Sequence, residues 1–311
     1  MLKSMWDDLK REFSTGNMVT RLIIINVSFF VLINLIKILL RGFSGFGELQ
    51  YYSDVLHFFC ISSSMWHNLT HPWALLTNMF LHEGFWHILW NMLFLYWFGR
   101  IVGDFIGNHR ILPLYLLGGL VGGLVFILTA NVLSYGIAGD RFALGASGAV
   151  MAIVVASATI SPDYIMRLLF IGDVRLKYIV AVLLFLDMIG IANDANTGGH
   201  FAHLGGAFFG WVFVRQLQEG NDWSAPVNRL FDKINSFFER LRSGSRKARR
   251  PRVVYRNKDK AKRGGAYAVS DTEVDLSHQE QLDAILDKIK KNGYESLSSE
   301  EKEFLFNASK N

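Results

Sequence analysis

The sequence predicts an all-α polytopic membrane protein with a small helical tail in the cytoplasm, and three observations lead to this fold class. Charged residues make up 19% of the 311-residue chain and hydrophobic residues 51%, whereas soluble domains carry about 25% charged residues. The apolar residues form long runs separated by short polar stretches, as in a bundle of membrane-crossing helices. After about residue 218 the charged residues return. A membrane domain followed by a polar tail explains all three.

Six apolar runs are long enough, or nearly so, to cross about 30 Å of hydrocarbon as helices. They cover about Leu22–Leu40, Phe85–Ile101, Ile111–Leu133, Leu144–Ile160, Lys177–Ala192 and Phe201–Leu217. The predicted domains are a cytoplasmic segment (1–21), a six-helix domain (22–218), an amphipathic helix with a basic juxtamembrane segment (219–263), and a linker with a small helical hairpin (264–311). The first 21 residues are too charged, and the next run too long, for a cleaved signal peptide.

Basic residues predict the orientation of these spans. The loop over residues 41–84 has Arg41 as its only lysine or arginine, so it is expected outside. Both termini are therefore expected in the cytoplasm, and we expect a multi-pass protein of the bacterial inner membrane. The residues that mark the inner side precede span one or lie between spans two and three or four and five: Lys10, Arg11, Arg21, Arg100, Arg110, Arg167, Arg175 and Lys177.

Four polar residues are expected at one depth in this bundle. Spans two, four and six all run from outside to inside, and near their starts lie His87 and Asn91, Ser147, and His203. At 1.5 Å per residue, these side chains lie roughly 5 to 15 Å below the outer surface. His87 and Asn91 are four residues apart and share a helix face. Because an unsatisfied polar group facing lipid costs several kcal/mol, we expect the four side chains to face one another.

Small residues favour close packing of spans four and six. Gly148, Ala152 and Ala156 repeat every four residues in span four, and Gly206 and Gly210 do so in span six. This is the small-xxx-small pattern of tightly packed membrane helices. The pattern is weak evidence alone, since span three carries it as well. Such packing could bring the serine of span four within hydrogen-bond reach of the histidine of span six.

The chemistry of these residues indicates nucleophilic catalysis. A serine hydroxyl is a poor nucleophile unless a neighbouring base takes its proton, and His203 is the candidate base for Ser147. The backbone N–H of Ser147 at a helix start suits a developing oxyanion, and the side chains of Asn91 and His87 can add donors. Spans four and six contain no Asp or Glu near these residues. We therefore predict a Ser-His pair rather than a triad, and no metal or organic cofactor.

Two other histidines have weaker claims. His200 is the rival base, but it lies nearer the outside and lacks the Ala-His-Leu-Gly-Gly setting of His203. His82, at the outer boundary, is expected to bond loop backbone. Metalloprotease chemistry is rejected because His82 and His87 are five residues apart rather than four. An aspartyl membrane protease is rejected because Asp140, in the stretch 136–140, is misspaced and has no partner at depth.

Together these motifs resemble the rhomboid intramembrane serine proteases over roughly residues 20 to 218. The resemblance implies Ser147 as nucleophile, His203 as base, and His87, Asn91 and the Ser147 amide as oxyanion donors. It also implies transmembrane protein substrates and a lipid bilayer around the enzyme. One departure is Asp104, where the family often has Glu. The motifs are His82, His87 and Asn91 in span two, Gly145-Ala146-Ser147-Gly148 in span four, and Ala202-His203-Leu204-Gly205-Gly206 in span six.

Two alternative functions stay open at this point. A non-catalytic rhomboid-like protein would bind membrane clients, although the intact serine and histidine argue against it. A small transporter could also use buried His and Asn residues, yet it would not explain why the polar residues cluster in the outer leaflet.

The segments outside the spans carry their own expectations. The outer loop, Arg41–Glu83, is aromatic and is expected to brace the bundle. Residues 226–241 form an amphipathic pattern on the inner side, and the basic run 246–263 is expected to bind anionic lipid rather than nucleic acid. A helix is expected over residues 278–291, followed by a capping box at Ser298–Glu301 that opens a short helix to about Ala308.

Overall fold

A computed structural model describes residues 2–43, 50–133, 140–168, 171–193, 196–242, 282–283, 285–290 and 293–308. The chain divides into two compact units, Met1–Ser245 and Arg246–Asn311. Most of the stretch 136–140, the basic run 246–263 and the linker that follows it lie outside the described residues.

The first unit is built from helices. Each of the six predicted apolar runs is helical, as helices α2 and α6 to α10. The helices are α1 (Leu2–Thr15), α2 (Met18–Phe43), α3 (Gln50–His57), α4 (Met65–Thr70), α5 (Ala74–Thr77), α6 (Phe85–Ile106), α7 (Ile111–Val132), α8 (Ser147–Ile160), α9 (Leu176–Ala192), α10 (Thr197–Gln218) and α11 (Ser224–Arg242).

Several helix ends differ from the predicted ones for local reasons. Helix α2 begins at Met18, because the side chain of Asn17 accepts a hydrogen bond from the Thr20 N–H at 2.9 Å. Helix α8 begins at Ser147 and not at Leu144, because Gly145 has φ of +127° and cannot belong to a right-handed helix. By length and composition, two helical stretches of the described chain could cross a membrane, Met18–Phe43 and Asn108–Val132.

Helix α8 lies at the centre of the first unit, buried from Gly148 to Ser157 and packed against α6, α7, α9 and α10. Its contact with α10 is made backbone to backbone. A Cβ on Gly206 would lie 2.0 Å from the carbonyl oxygen of Gly148, and one on Gly210 would lie 2.1 Å from that of Ala152. The predicted close packing of spans four and six is therefore confirmed.

The glycines of α7 belong to the same tight packing. A Cβ on Gly118 would lie 2.3 Å from the Ala152 side chain, and one on Gly122 would lie 2.7 Å from the carbonyl oxygen of Ala202. Helix α7 thus approaches both α8 and α10. The small-residue pattern of span three, which pointed to no particular function, has its cause in this three-helix contact.

The outer loop braces the segment that leads into α8, as predicted. Strand β1 (Ile61–Ser62) pairs antiparallel with β2 (Phe142–Ala143). The N–H of Gly145 donates to the carbonyl oxygen of Asn78 at 2.9 Å. The hydroxyl of Tyr115 donates to the carbonyl oxygen of Met79 at 2.8 Å. The loop therefore holds both the chain just before Ser147 and the start of helix α7.

At the other end of the bundle, a hairpin and an ion pair close the turns. Strands β3 (Ile165–Leu168) and β4 (Gly172–Arg175) pair antiparallel between α8 and α9. Arg110, before α7, donates to Asp222, before α11, at 2.7 Å. Helix α11 exposes an apolar face, so the amphipathic helix predicted over residues 226–241 is confirmed. That face consists of Leu230, Ile234, Phe237, Phe238 and Leu241.

The second unit contains two α-helices in its described part, α12 (282–290, without residue 284) and α13 (Ser299–Ala308). Ser298 and Glu301 form the predicted capping box, because each accepts a hydrogen bond from the backbone N–H of the other, at 3.2 and 2.7 Å. Lys288 of α12 reaches Glu301 at 2.8 Å and joins the two helices.

Candidate active site

A cavity of about 700 Å³ gathers the four polar residues that the sequence singles out. Ser147 from α8, His203 from α10, and His87 and Asn91 from α6 all line it. The remaining wall comes from α9 and from the chain just before α8. Residues from three separate apolar runs thus meet at one place.

Ser147 is the first residue of α8, so its N–H belongs to the donors that a helix start leaves without an intrahelical partner. The two residues before it are held by the outer loop. The N–H of Gly145 is bonded to Asn78, and that of Ala146 lies 3.4 Å from Nε2 of the fully buried His82. The prediction that His82 bonds backbone is confirmed.

His87 and Asn91 lie next to this helix start. A Cβ on Gly145 would lie 2.8 Å from Nε2 of His87, so the imidazole packs directly on the glycine backbone. Asn91 is buried, and one N–H of its amide donates to the carbonyl oxygen of His87 at 2.8 Å. Its second N–H has no such intrahelical role. Both side chains are therefore close to the chain that carries Ser147, with donors to offer a ligand there.

No hydrogen bond joins Ser147 to His203 among the residues that the structure describes, although both line the cavity. The hydrogen bond that the close packing of α8 and α10 could allow is absent from this conformation.

The structure corrects the predicted isolated Ser-His pair, because a carboxylate reaches the histidine from another helix. Nδ1 of His203 lies 2.7 Å from Oδ1 of Asp187, which belongs to α9. Asp187 is the only acidic residue in its apolar run. An ionisable residue inside such a run is a functional signal in itself. Sequence reasoning limited to the helices that carry the serine and the histidine misses it.

His200 shares this carboxylate. Its Nδ1 also lies 2.7 Å from Oδ1 of Asp187, and a Cβ on Gly190 would lie 2.1 Å from its Nε2. The Nε2 edge of His200 is thus pressed on the backbone of α9. Asp187, His200 and His203 each offer one atom that could bind a metal ion, a carboxylate oxygen or an imidazole nitrogen. These three atoms lie within 4.8 Å of one another and are of the type that could hold a divalent cation.

A family model of the Rhomboid domain matches residues 69–218, which contain every residue of this cavity. The domain defines the class of protein: a helical, polytopic membrane protein. Through this domain, the chain belongs to the rhomboid family. A second model, a family of unknown function (DUF6576), matches residues 276–311 and thus the two helices of the second unit.

Similar proteins come from plants, animals and bacteria. The chain is 29% identical over 150 residues to RHOMBOID-like protein 5 of Arabidopsis thaliana (48% of this chain, 46% of the relative). It is 29% identical to the mitochondrial presenilin-associated rhomboid-like protein of Homo sapiens (45% and 36%). It is 28% identical to the rhomboid protease GluP of Bacillus subtilis (44% and 25%). The chain matches less than half the length of each of these relatives.

Proposed function

We propose that this protein is an intramembrane serine endopeptidase that cleaves transmembrane segments of membrane proteins. The observation that carries the proposal is the cavity in which Ser147, His203, His87 and Asn91 meet. Membership of a family that includes a protein named as a protease supports it. In this proposal helices α2 and α6 to α10 are the six spans, within a domain over residues 22–218, and both termini are cytoplasmic.

The length of α8 fits this topology. Its 14 residues extend roughly 21 Å, less than the hydrocarbon thickness of about 30 Å. A helix of this length that reaches the inner surface begins below the outer surface, so Ser147 lies within the outer leaflet. The outer loop is hydrogen-bonded to Gly145 and Ala146, the two residues before Ser147.

The proposed reaction passes through an acyl-enzyme. The oxygen of the Ser147 hydroxyl attacks the scissile carbonyl while His203 accepts its proton, and the carbonyl oxygen becomes an oxyanion near the Ser147 N–H, Asn91 and His87. His203 then gives the proton to the leaving amine, and the C–N bond breaks. A water molecule attacks the acyl-enzyme with the same histidine as base, which releases the acid product and restores the serine.

The proposed substrate is a transmembrane helix that can unwind near its outer end. A peptide carbonyl inside a stable helix is bonded and shielded, so Gly, Ala, Ser or Pro near the cleavage site favours its exposure. A bacterial inner membrane stays the predicted location. The chain after residue 218 is proposed to be an inner-side extension, in which the basic run 246–263 associates with anionic lipid.

The test is the reaction of the purified full-length protein with a fluorophosphonate and with a model transmembrane substrate. We expect Ser147→Ala to lose labelling and cleavage, and His203→Ala to lose cleavage, while both variants stay folded. His200→Ala serves as the comparison. Substantial cleavage by Ser147→Ala would refute the proposal, and cleavage that survives His203→Ala but not His200→Ala would move the base to His200.

A further inference from the structure

We propose that Asp187 is a positioning residue for His203. Its carboxylate holds the imidazole with the proton on Nδ1, which leaves Nε2 unprotonated and able to accept the proton of Ser147. This inference deepens the proposed function and rests on it.

The hydrogen-bond geometry defines the tautomer. Nδ1 of His203 lies 2.7 Å from Oδ1 of Asp187, whose side chain is 8% exposed. An ionised carboxylate only accepts hydrogen bonds, so the nitrogen at this distance must carry the proton. A neutral imidazole has one N–H, and its other nitrogen then holds a lone pair. The bond also restrains rotation of the ring.

His200 supports the carboxylate from its other side. Its Nδ1 lies 2.7 Å from the same Oδ1 atom, and its ring is pressed on Gly190 of α9. Two N–H donors that converge on one carboxylate oxygen favour its ionised form, which burial alone would disfavour. In this arrangement His200 anchors Asp187, and Asp187 orients His203.

A resident metal ion explains the distances less well. Ligands that surround zinc tetrahedrally at about 2.1 Å are about 3.4 Å apart. The two separations of 2.7 Å between nitrogen and oxygen are instead ordinary lengths for charge-assisted hydrogen bonds. Asp187 is therefore joined to His200 and His203 by hydrogen bonds in this conformation.

The first experiment reads the tautomer directly, without any need for catalysis. Full-length protein with ¹⁵N-labelled histidine is measured by NMR, and the His203 signals are assigned from their loss in His203→Gln. We expect Nδ1 protonated and Nε2 unprotonated in the wild type, and loss of this preference in Asp187→Ala. The matched control is Asp104→Ala, an exposed acidic residue of α6, which should change nothing.

Three results of this experiment would overturn the inference. They are a wild-type His203 protonated at Nε2, a tautomer that survives both Asp187→Ala and Asp187→Leu, neither of which can accept a hydrogen bond, and His203 signals that shift when EDTA is added. The last result would show that the cluster holds a metal ion. Asp187→Leu, whose side chain has a similar size and no acceptor, keeps the test decisive if Asp187→Ala does not fold.

The second experiment distinguishes two roles of Asp187: positioning the imidazole of His203, or only joining α9 to α10. We expect Asp187→Ala to lower kcat on the order of 10²- to 10⁴-fold with KM changed less than about threefold, and Asp187→Glu to restore part of the loss. An unchanged kcat, or a loss confined to KM, would contradict a positioning role. If Ser147→Ala still cleaves substrate, the proposed function fails, whereas the NMR result still decides the tautomer.

Discussion

At the scale of single residues, Gly145 decides how closely His87 can approach the start of α8. Its φ of +127° disfavours any side chain, and a Cβ there would lie 2.8 Å from Nε2 of His87. We expect Gly145→Ala to displace the imidazole and lower turnover about 10²-fold, since a shift of about 1 Å in a catalytic group can cost that much. Turnover of a model substrate measures the effect.

The matched control for this change is Gly172→Ala. Gly172 also has a positive φ, +89°, but a Cβ there would meet nothing within 4 Å. Gly172→Ala should therefore strain the backbone without causing a steric clash, and this variant should keep normal turnover. Equal losses in the two variants would show that backbone strain, and not the position of His87, explains the result.

Asn91 tests the proposed oxyanion donors. Removal of one such donor typically lowers the rate about 10²- to 10³-fold, so we expect the turnover of Asn91→Ala to fall by up to this factor. Ser147 should still react with a fluorophosphonate in this variant. Asn34→Ala is the control, because its amide makes the same intrahelical bond, to Phe30 at 2.9 Å, away from the cavity. Normal turnover in His87→Ala/Asn91→Ala would show that the pair only supports packing.

At the scale of helices, the contact of α8 with α10 has no room for a side chain. Gly206→Ala would place a Cβ 2.0 Å from a backbone carbonyl oxygen, which no side-chain rotation can relieve. We expect the free energy of unfolding of the Gly206→Ala variant to fall by about 2 kcal/mol or more, measured by denaturation in mixed micelles. Gly42→Ala, a helical glycine of α2 with nothing within 4 Å, should be neutral or stabilising. Equal effects would argue against this contact.

The turns opposite the outer loop predict a dependence on pH. Burial raises the pKa of Asp222, but hydrogen bonds from Ser224 and Arg110 outweigh burial and hold the pKa below its ordinary value. A carboxyl with a lowered pKa stabilises the folded state above its unfolded pKa of about 3.9, and this contribution disappears as the pH falls through the folded pKa. We expect Asp222→Asn to lower the free energy of unfolding by about 1 kcal/mol at neutral pH, and by less toward pH of about 3.

Asp163 provides the comparison for Asp222. A hydrogen bond from Lys177 lowers the pKa of Asp163 as well, but this ion pair is exposed. Solvent screens such a pair, so Asp163→Asn should leave unfolding unchanged at every pH. A pH-independent effect of Asp222→Asn would show that packing, and not charge, matters at the turn.

At the scale of the whole molecule, the cavity belongs to the first unit alone. All of its lining residues lie between Glu83 and His203, within Met1–Ser245. We therefore expect a chain that ends at residue 263 to cleave a detergent-solubilised substrate at nearly the full rate, measured at equal folded concentration. A large fall in turnover would instead assign a regulatory role to residues 264–311, which include the second matched family.

The sequence by itself determined the six apolar helices, the small-residue packing and the capping box of the tail. These features depend on signals that lie along one segment: apolar runs, four-residue repeats, and the spacing of Ser298 and Glu301. It also selected Ser147, His203, His87 and Asn91, because a polar residue in an apolar run is costly in a membrane unless it has a partner or a function.

Only the tertiary structure decided which helices meet and which faces they turn toward one another. Asp187 is a single acidic residue on α9, and nothing in its own segment shows that it reaches His203 and His200 on α10. The pairing of β1 with β2 likewise joins residues about 80 positions apart. Such contacts depend on the rotation and lateral placement of each helix, which the packing of the whole bundle sets and no local pattern specifies.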